Sequence, residues 1–191
     1  MAIRSFLAFE KPDEIKGIIE EVSAALGKSR LDVRWVKAGN VHLTMVFLGN
    51  MQEEDLEAME EPVQEICSTF TPFAVALKGL GCFPHTRNPR VIWIGLDGEI
   101  ERMGRFRDDL QRRLIPFGIK EEKRAFRPHL TLGRFNSVRK TDRELEGFLE
   151  RYRDLRSPLC TLGELVLFKS ELRRGGSIYT RLKSWPLTGS Q

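Results

Sequence analysis

The chain has few of the residues that staple small proteins or carry them through membranes. Only 3 of its 191 residues are cysteine, and Cys67, Cys82 and Cys160 include no C-x-x-C spacing. A disulfide framework and a thiolate zinc site are therefore poorly supported, and buried free thiols in a reducing compartment are the expectation. No apolar run approaches the roughly 18 residues of a membrane-spanning helix. The apolar stretch in residues 1–10 is too short for a signal peptide. The expected location is the cytoplasm, with no membrane partner. There is no low-complexity tract and no linker. No G-x-x-x-x-G-K-[ST] pattern occurs, so nucleoside triphosphate hydrolysis is unsupported. Histidine is scarce as well, with three in the chain.

What is present builds a core. Hydrophobic residues make up 41% of the chain, with 12 Phe and 3 Trp, which excludes a disordered chain. The length predicts a single domain over residues 1–191. The balance of 31 basic against 27 acidic residues, net +4, permits an anionic partner without demanding one.

Periodicity orders the elements. Residues 3–9 read as a short buried strand. Pro12, Asp13 and Glu14 open a helix that turns Ile15, Ile18, Ile19 and Val22 to one face and stops at Gly27. Residues 34–36 are extended, and 40–48 form a strand ended by the turn pair Gly49-Asn50. A helix over 52–67 points Leu56, Met59, Val63 and Ile66 inward and is kinked or split by Pro62. A strand over 73–77 gives way to a loop over 79–89, then a strand over 91–96. Ile100, Met103, Phe106, Leu110 and Leu114 trace a helix whose solvated face carries Arg102, Arg105, Arg112 and Arg113. Residues 127–135 are a strand. Thr141 and Asp142 cap a helix with Leu145, Phe148, Leu149 and Tyr152 inward. Strands over 164–172 and 177–183 flank the hairpin turn Arg173-Arg174-Gly175-Gly176. This order predicts an α+β fold with mainly antiparallel sheets.

Two of the three histidines open the same tripeptide, His42-Leu43-Thr44 and His129-Leu130-Thr131. Each copy lies in an expected strand, which suggests internal duplication. Side chains at i and i+2 share a strand face. His42 and Thr44 therefore project together with Asn40 behind them, while Leu43, Met45 and Phe47 face a core. His129, Thr131 and Arg127 likewise share a face, and Pro128 keeps Arg127 extended. Arg134 lies five positions after His129, so ideal alternation points it away unless the strand ends or bulges. His85, in the loop 83–89, has no comparable partners and reads as surface.

Paired imidazoles suit one class of chemistry. Near neutral pH one can be neutral and the other protonated, so a proton is removed on one side of a centre and delivered on the other. Hydroxyls and a guanidinium can hold phosphate oxygens between them. In-line opening of a strained cyclic phosphodiester needs these parts and no metal or cofactor.

The stretches 6–9, 40–49, 90–95, 126–134, 170–172 and 179–182 together resemble the 2H phosphoesterase superfamily, and within it the RNA 2′,3′-cyclic phosphodiesterases, also called 2′-5′ RNA ligases. The resemblance covers nearly the whole chain. It implies a two-lobed α+β fold with approximate two-fold symmetry, helices outside and a central groove. It implies hydrolysis of RNA 2′,3′-cyclic phosphate ends to 2′-phosphates, and in reverse the 2′-5′ joining of tRNA halves. Carried onto this sequence, His42 is the general acid and His129 the general base. Thr44 and Thr131 bind the phosphate, and Arg127 or Arg134 neutralises it. Gly133 stands where relatives often have Ala or Leu, a departure expected to leave the chemistry intact.

Other readings remain open. A related enzyme could act on ADP-ribose cyclic phosphate or a 2′-5′ oligoadenylate. A non-catalytic RNA-binding module would explain the charge but not the paired histidines. A metallohydrolase is poorly served by two His without a carboxylate or thiolate set. A monomer is the simplest assembly.

Overall fold

A computed structural model describes residues 2–137, 143–174 and 176–190. The expected Thr141-Asp142 cap and Gly175 of the hairpin turn lie outside the described residues. In chain order the strands are β1 (Ile3–Glu10), β2 (Val33–Trp35), β3 (His42–Met51), β4 (Phe73–Phe83), β5 (Val91–Gly98), β6 (His129–Phe135), β7 (Cys160–Leu162), β8 (Glu164–Arg173) and β9 (Gly176–Pro186). The helices are α1 (Asp13–Gly27), α2 (Glu53–Ala58), α3 (Glu60–Cys67), α4 (Ile100–Leu114) and α5 (Arg143–Arg151).

The strands join in one antiparallel sheet of order β7-β4-β5-β6-β3-β1-β8-β9, with β2 continuing along β6. The order is symmetric about the β6–β3 junction. There the two repeated tripeptides pair through Leu43 opposite Leu130. One face of the sheet is covered by helices. Ile15, Ile19 and Val22 of α1, Val63 of α3, Met103, Phe106 and Leu110 of α4 and Leu145 of α5 pack there against Leu7, Phe9, Leu43, Ile92, Leu130 and Leu167. Phe106 is fully buried. Truncating such a ring to Ala typically costs about 3–5 kcal/mol. The other face carries a small cluster of Phe6, Ala8, Val166 and Phe168, and both motif histidines lie against its aromatic rings or those of β4 and β5.

Several expectations hold. α1 begins after Pro12, and the helix over 52–67 is divided in two with Pro62 in the first turn of its second half. There the missing amide costs little, because first-turn donors lack helical partners. Cys67, Cys82 and Cys160 are buried free thiols, and burial pushes the Cys67 and Cys82 thiols up to about 12.

Others are corrected. Gly49-Asn50 does not end its strand, which runs to Met51. The loop expected from Gly79 begins only after Phe83. At both glycines φ is positive, +74° and +63°, and the register slips. Glycine there marks a bulge within a strand rather than a turn. The three-residue β7 carries too little pattern to be read from sequence. Arg102 is not solvated. Its guanidinium lies 4.4 Å above the Phe73 ring and donates to Glu99 and to the Thr71 and Pro72 carbonyls. Arg127 precedes β6 instead of opening it.

Candidate active site

Strand alternation sets the site. Leu43 and Leu130 are buried on the helix side, while His42, Thr44, His129 and Thr131 are half-buried on the opposite face. With Leu43 opposite Leu130, antiparallel direction brings His42 beside Thr131 and Thr44 beside His129. The two histidines are then diagonal neighbours on one face, a relationship that spans roughly 7–8 Å between strands. Each charge is felt across the junction: His129 and Arg134 both hold down the pKa of His42.

Each imidazole is anchored in the same way. The Nδ1 of His42 lies 2.7 Å from the Asn40 carbonyl, and that of His129 lies 2.7 Å from the Arg127 carbonyl. A carbonyl only accepts, so each Nδ1 carries hydrogen and each Nε2 is the titrating nitrogen. Phe6 stacks on His42 at 4.7 Å, and Tyr179 meets its ring edge-on at 5.2 Å. Phe83 meets His129 edge-on at 4.9 Å, with Trp93 at 6.2 Å. This packing fixes ring orientation and strips water from the nitrogens.

Both pKa values lie below the ordinary 6.5. For His42 burial is the main cause. The Asn40 carbonyl works against it, and the charges of Lys11, Arg134 and His129 add to it. For His129 burial again leads, the Arg127 carbonyl opposes, and Arg134 adds. A bound phosphate anion would offset Arg134 and raise both values.

A bulge interrupts each motif strand just beyond its tripeptide. In β3, Thr44 opposes Ala8 while Val46 opposes Leu7, so Met45 is extra. In β6, Thr131 opposes Trp93 while Gly133 opposes Ile92, so Leu132 is extra. Each bulge reverses the alternation. Arg134 is thereby returned to the histidine face, where both imidazoles feel its charge. The same reversal corrects the expectation for Phe47. That ring is not in the core but is 66% exposed, 6.3 Å from Phe6.

Of the six expected site residues, His42, Thr44, His129 and Thr131 come together on one face, and Arg134 joins them. Arg127 contributes its carbonyl to His129, and its side chain is exposed. His85 lies on the surface. Sequence reasoning missed Phe6, Phe168 and Tyr179 around His42, Phe83 and Trp93 around His129, and Lys11. A cavity of about 470 Å³ beside His42 is lined by Lys11, Asn40, Phe168 and Tyr179 among others. Those residues come from four separated segments, and no local pattern unites them. Among the described residues no group of three or more His, Cys, Asp or Glu is placed to hold a metal ion.

Residues 11–174 match the family model described as the 2′-5′ RNA ligase superfamily. An RNA 2′,3′-cyclic phosphodiesterase of Archaeoglobus fulgidus is 32% identical, over 95% of this chain and 98% of that protein. The enzyme of that name from Aquifex aeolicus is 31% identical, over 98% of both. The crystal structure of Escherichia coli LigT complexed with 3′-AMP superposes with a TM-score of 0.77 at 26% identity, covering 98% of this chain and 99% of that one.

Proposed function

The chain belongs to the 2′-5′ RNA ligase superfamily, and from that membership we propose that it opens 2′,3′-cyclic phosphate ends of RNA to 2′-phosphomonoesters by metal-independent acid–base catalysis. The observation that carries this reading is the pair of imidazoles, each tethered through Nδ1 to a carbonyl two residues earlier, on one face of the sheet at the Leu43–Leu130 junction.

The cyclic phosphate lies between Thr44 and Thr131, whose hydroxyls donate to its non-bridging oxygens. Arg134 offsets the charge that grows on those oxygens in the pentacoordinate state. Neutral His129 takes a proton from water through Nε2. Protonated His42 gives one to the departing 3′ oxygen, leaving the phosphate on the 2′ oxygen. The phosphate supplies the field that lets His42 hold its proton despite burial. Arg127 is a secondary phosphate contact. An RNA 5′-hydroxyl can take the place of water: His129 accepts its proton, His42 again protonates the departing 3′ oxygen, and tRNA halves are joined through a 2′-5′ bond. The enzyme is a single domain of two similar lobes, acting as a monomer in the cytoplasm.

Product analysis tests this reading. An RNA with a 2′,3′-cyclic end should yield a 2′-phosphate, equally with and without EDTA. A 3′-phosphate product, or no opening, overturns it.

A further inference from the structure

Arg34 lies outside the histidine–threonine constellation, yet β2 carries it to the same place. Its Cα partner across β2 and β6 is Arg134. The residues on either side of it turn the other way. A Cβ on Gly133 would come 2.4 Å from Val33 Cγ1 and 2.8 Å from Trp35 Cε3, and both of those side chains pack against the core on the helix side of the sheet. Alternation then puts exposed Arg34 on the histidine face with Arg134. Two guanidinium groups directly opposite one another repel. Among the described residues neither has a carboxylate ion-pair partner.

Such a pair is suited to a bridging anion. A guanidinium offers a planar fork that matches phosphate oxygens. Arg134 is already directed at the reacting phosphate, while Arg34 sits one strand further out, about 5 Å away at the backbone. We propose that Arg34, together with Arg134, forms a second phosphate seat that takes a phosphodiester of the RNA chain adjoining the cyclic end. The site is then built for oligonucleotides over mononucleotides. This inference rests on the cyclic-phosphodiesterase reading and deepens it.

The test compares adenosine 2′,3′-cyclic phosphate, which has one phosphate, with a triadenylate ending in the same group. Arg34→Gln should raise KM for the triadenylate about five- to twenty-fold. It should reduce the slope of log KM against log salt by about 0.7, the value for one single-strand contact. The mononucleotide KM, and kcat on both substrates, should stay within twofold of wild type. Its melting temperature at low salt should equal or exceed wild type, because the repulsive pair is gone. An unchanged triadenylate KM overturns the proposal. So does an equal loss on both substrates, which would put Arg34 at the reacting phosphate or in folding. If the wild type opens neither substrate, the cyclic-phosphodiesterase reading fails by itself. Fluorescence anisotropy with a labelled triadenylate ending in a 3′-phosphate then decides Arg34 separately, and R34Q must weaken that binding at least fivefold.

Discussion

Leu43 lies directly opposite Leu130, each the middle residue of a His-Leu-Thr tripeptide. Because both leucines are buried on the helix side, their histidine neighbours must emerge on the other. A core contact thus sets the spacing of the two imidazoles, and it involves neither of them.

Removing either imidazole should abolish most turnover without unfolding the protein. His42→Ala and His129→Ala should each lower kcat about 10²–10⁴-fold, the usual contribution of one positioned acid or base. Steady-state assays on a cyclic-ended RNA, with circular dichroism as the folding control, check this. Retention of near-full rate by either variant contradicts the paired assignment.

The pH dependence has two parts. The rate should trace a bell, since one imidazole must be neutral and the other charged. Stability has a definite sign. Both histidines titrate below 6.5 in the folded chain, so the unfolded chain takes up their protons first on acidification. Their contribution to stability is present above about pH 6.5 and declines as pH falls from there through the folded values. The double variant His42→Gln/His129→Gln should therefore lose less melting temperature between pH 7 and pH 5 than wild type. An equal or larger loss would contradict the downward shifts.

Gly133 is expected to tolerate nothing larger. Its Cβ position is 2.4 Å from Val33 Cγ1 and 2.8 Å from Trp35 Cε3. Gly133→Ala should cost about 1–3 kcal/mol, the usual cost of overpacking. It should also loosen β2. Denaturant unfolding together with amide exchange of residues 33–35 measures both, and unchanged stability would show that β2 can shift freely.

Phe47→Ser should leave stability nearly untouched, since the ring is mostly exposed. It should raise KM for cyclic-ended RNA about five- to fifty-fold, because stacking on one base is worth about 1–3 kcal/mol. A KM equal to wild type would place the base elsewhere.

The legible part of this protein is what depends on local period. Alternation put His42 with Thr44 and His129 with Thr131, and Pro62 marked the divided helix. Bulges were not legible, because an extra residue is defined only by the partner strand. For that reason the sequence places Phe47 in the core, brings Arg134 to the site only on the condition of a bulge, and makes Gly49 and Gly79 resemble turns. The rings around the histidines were illegible for another reason: Phe6, Tyr179, Phe83 and Trp93 are joined by sheet order alone.

The two bulges fall at equivalent places, just after Thr44 and just after Thr131. They deliver equivalent positions, five beyond each histidine, to the same surface. On one side that position is Phe47 and on the other Arg134. A sheet with four strands in order on either side of one junction would offer an incoming strand two opposite orientations. An oily plate at one end and a cation at the other make those orientations unequal, and so would give a bound RNA a heading.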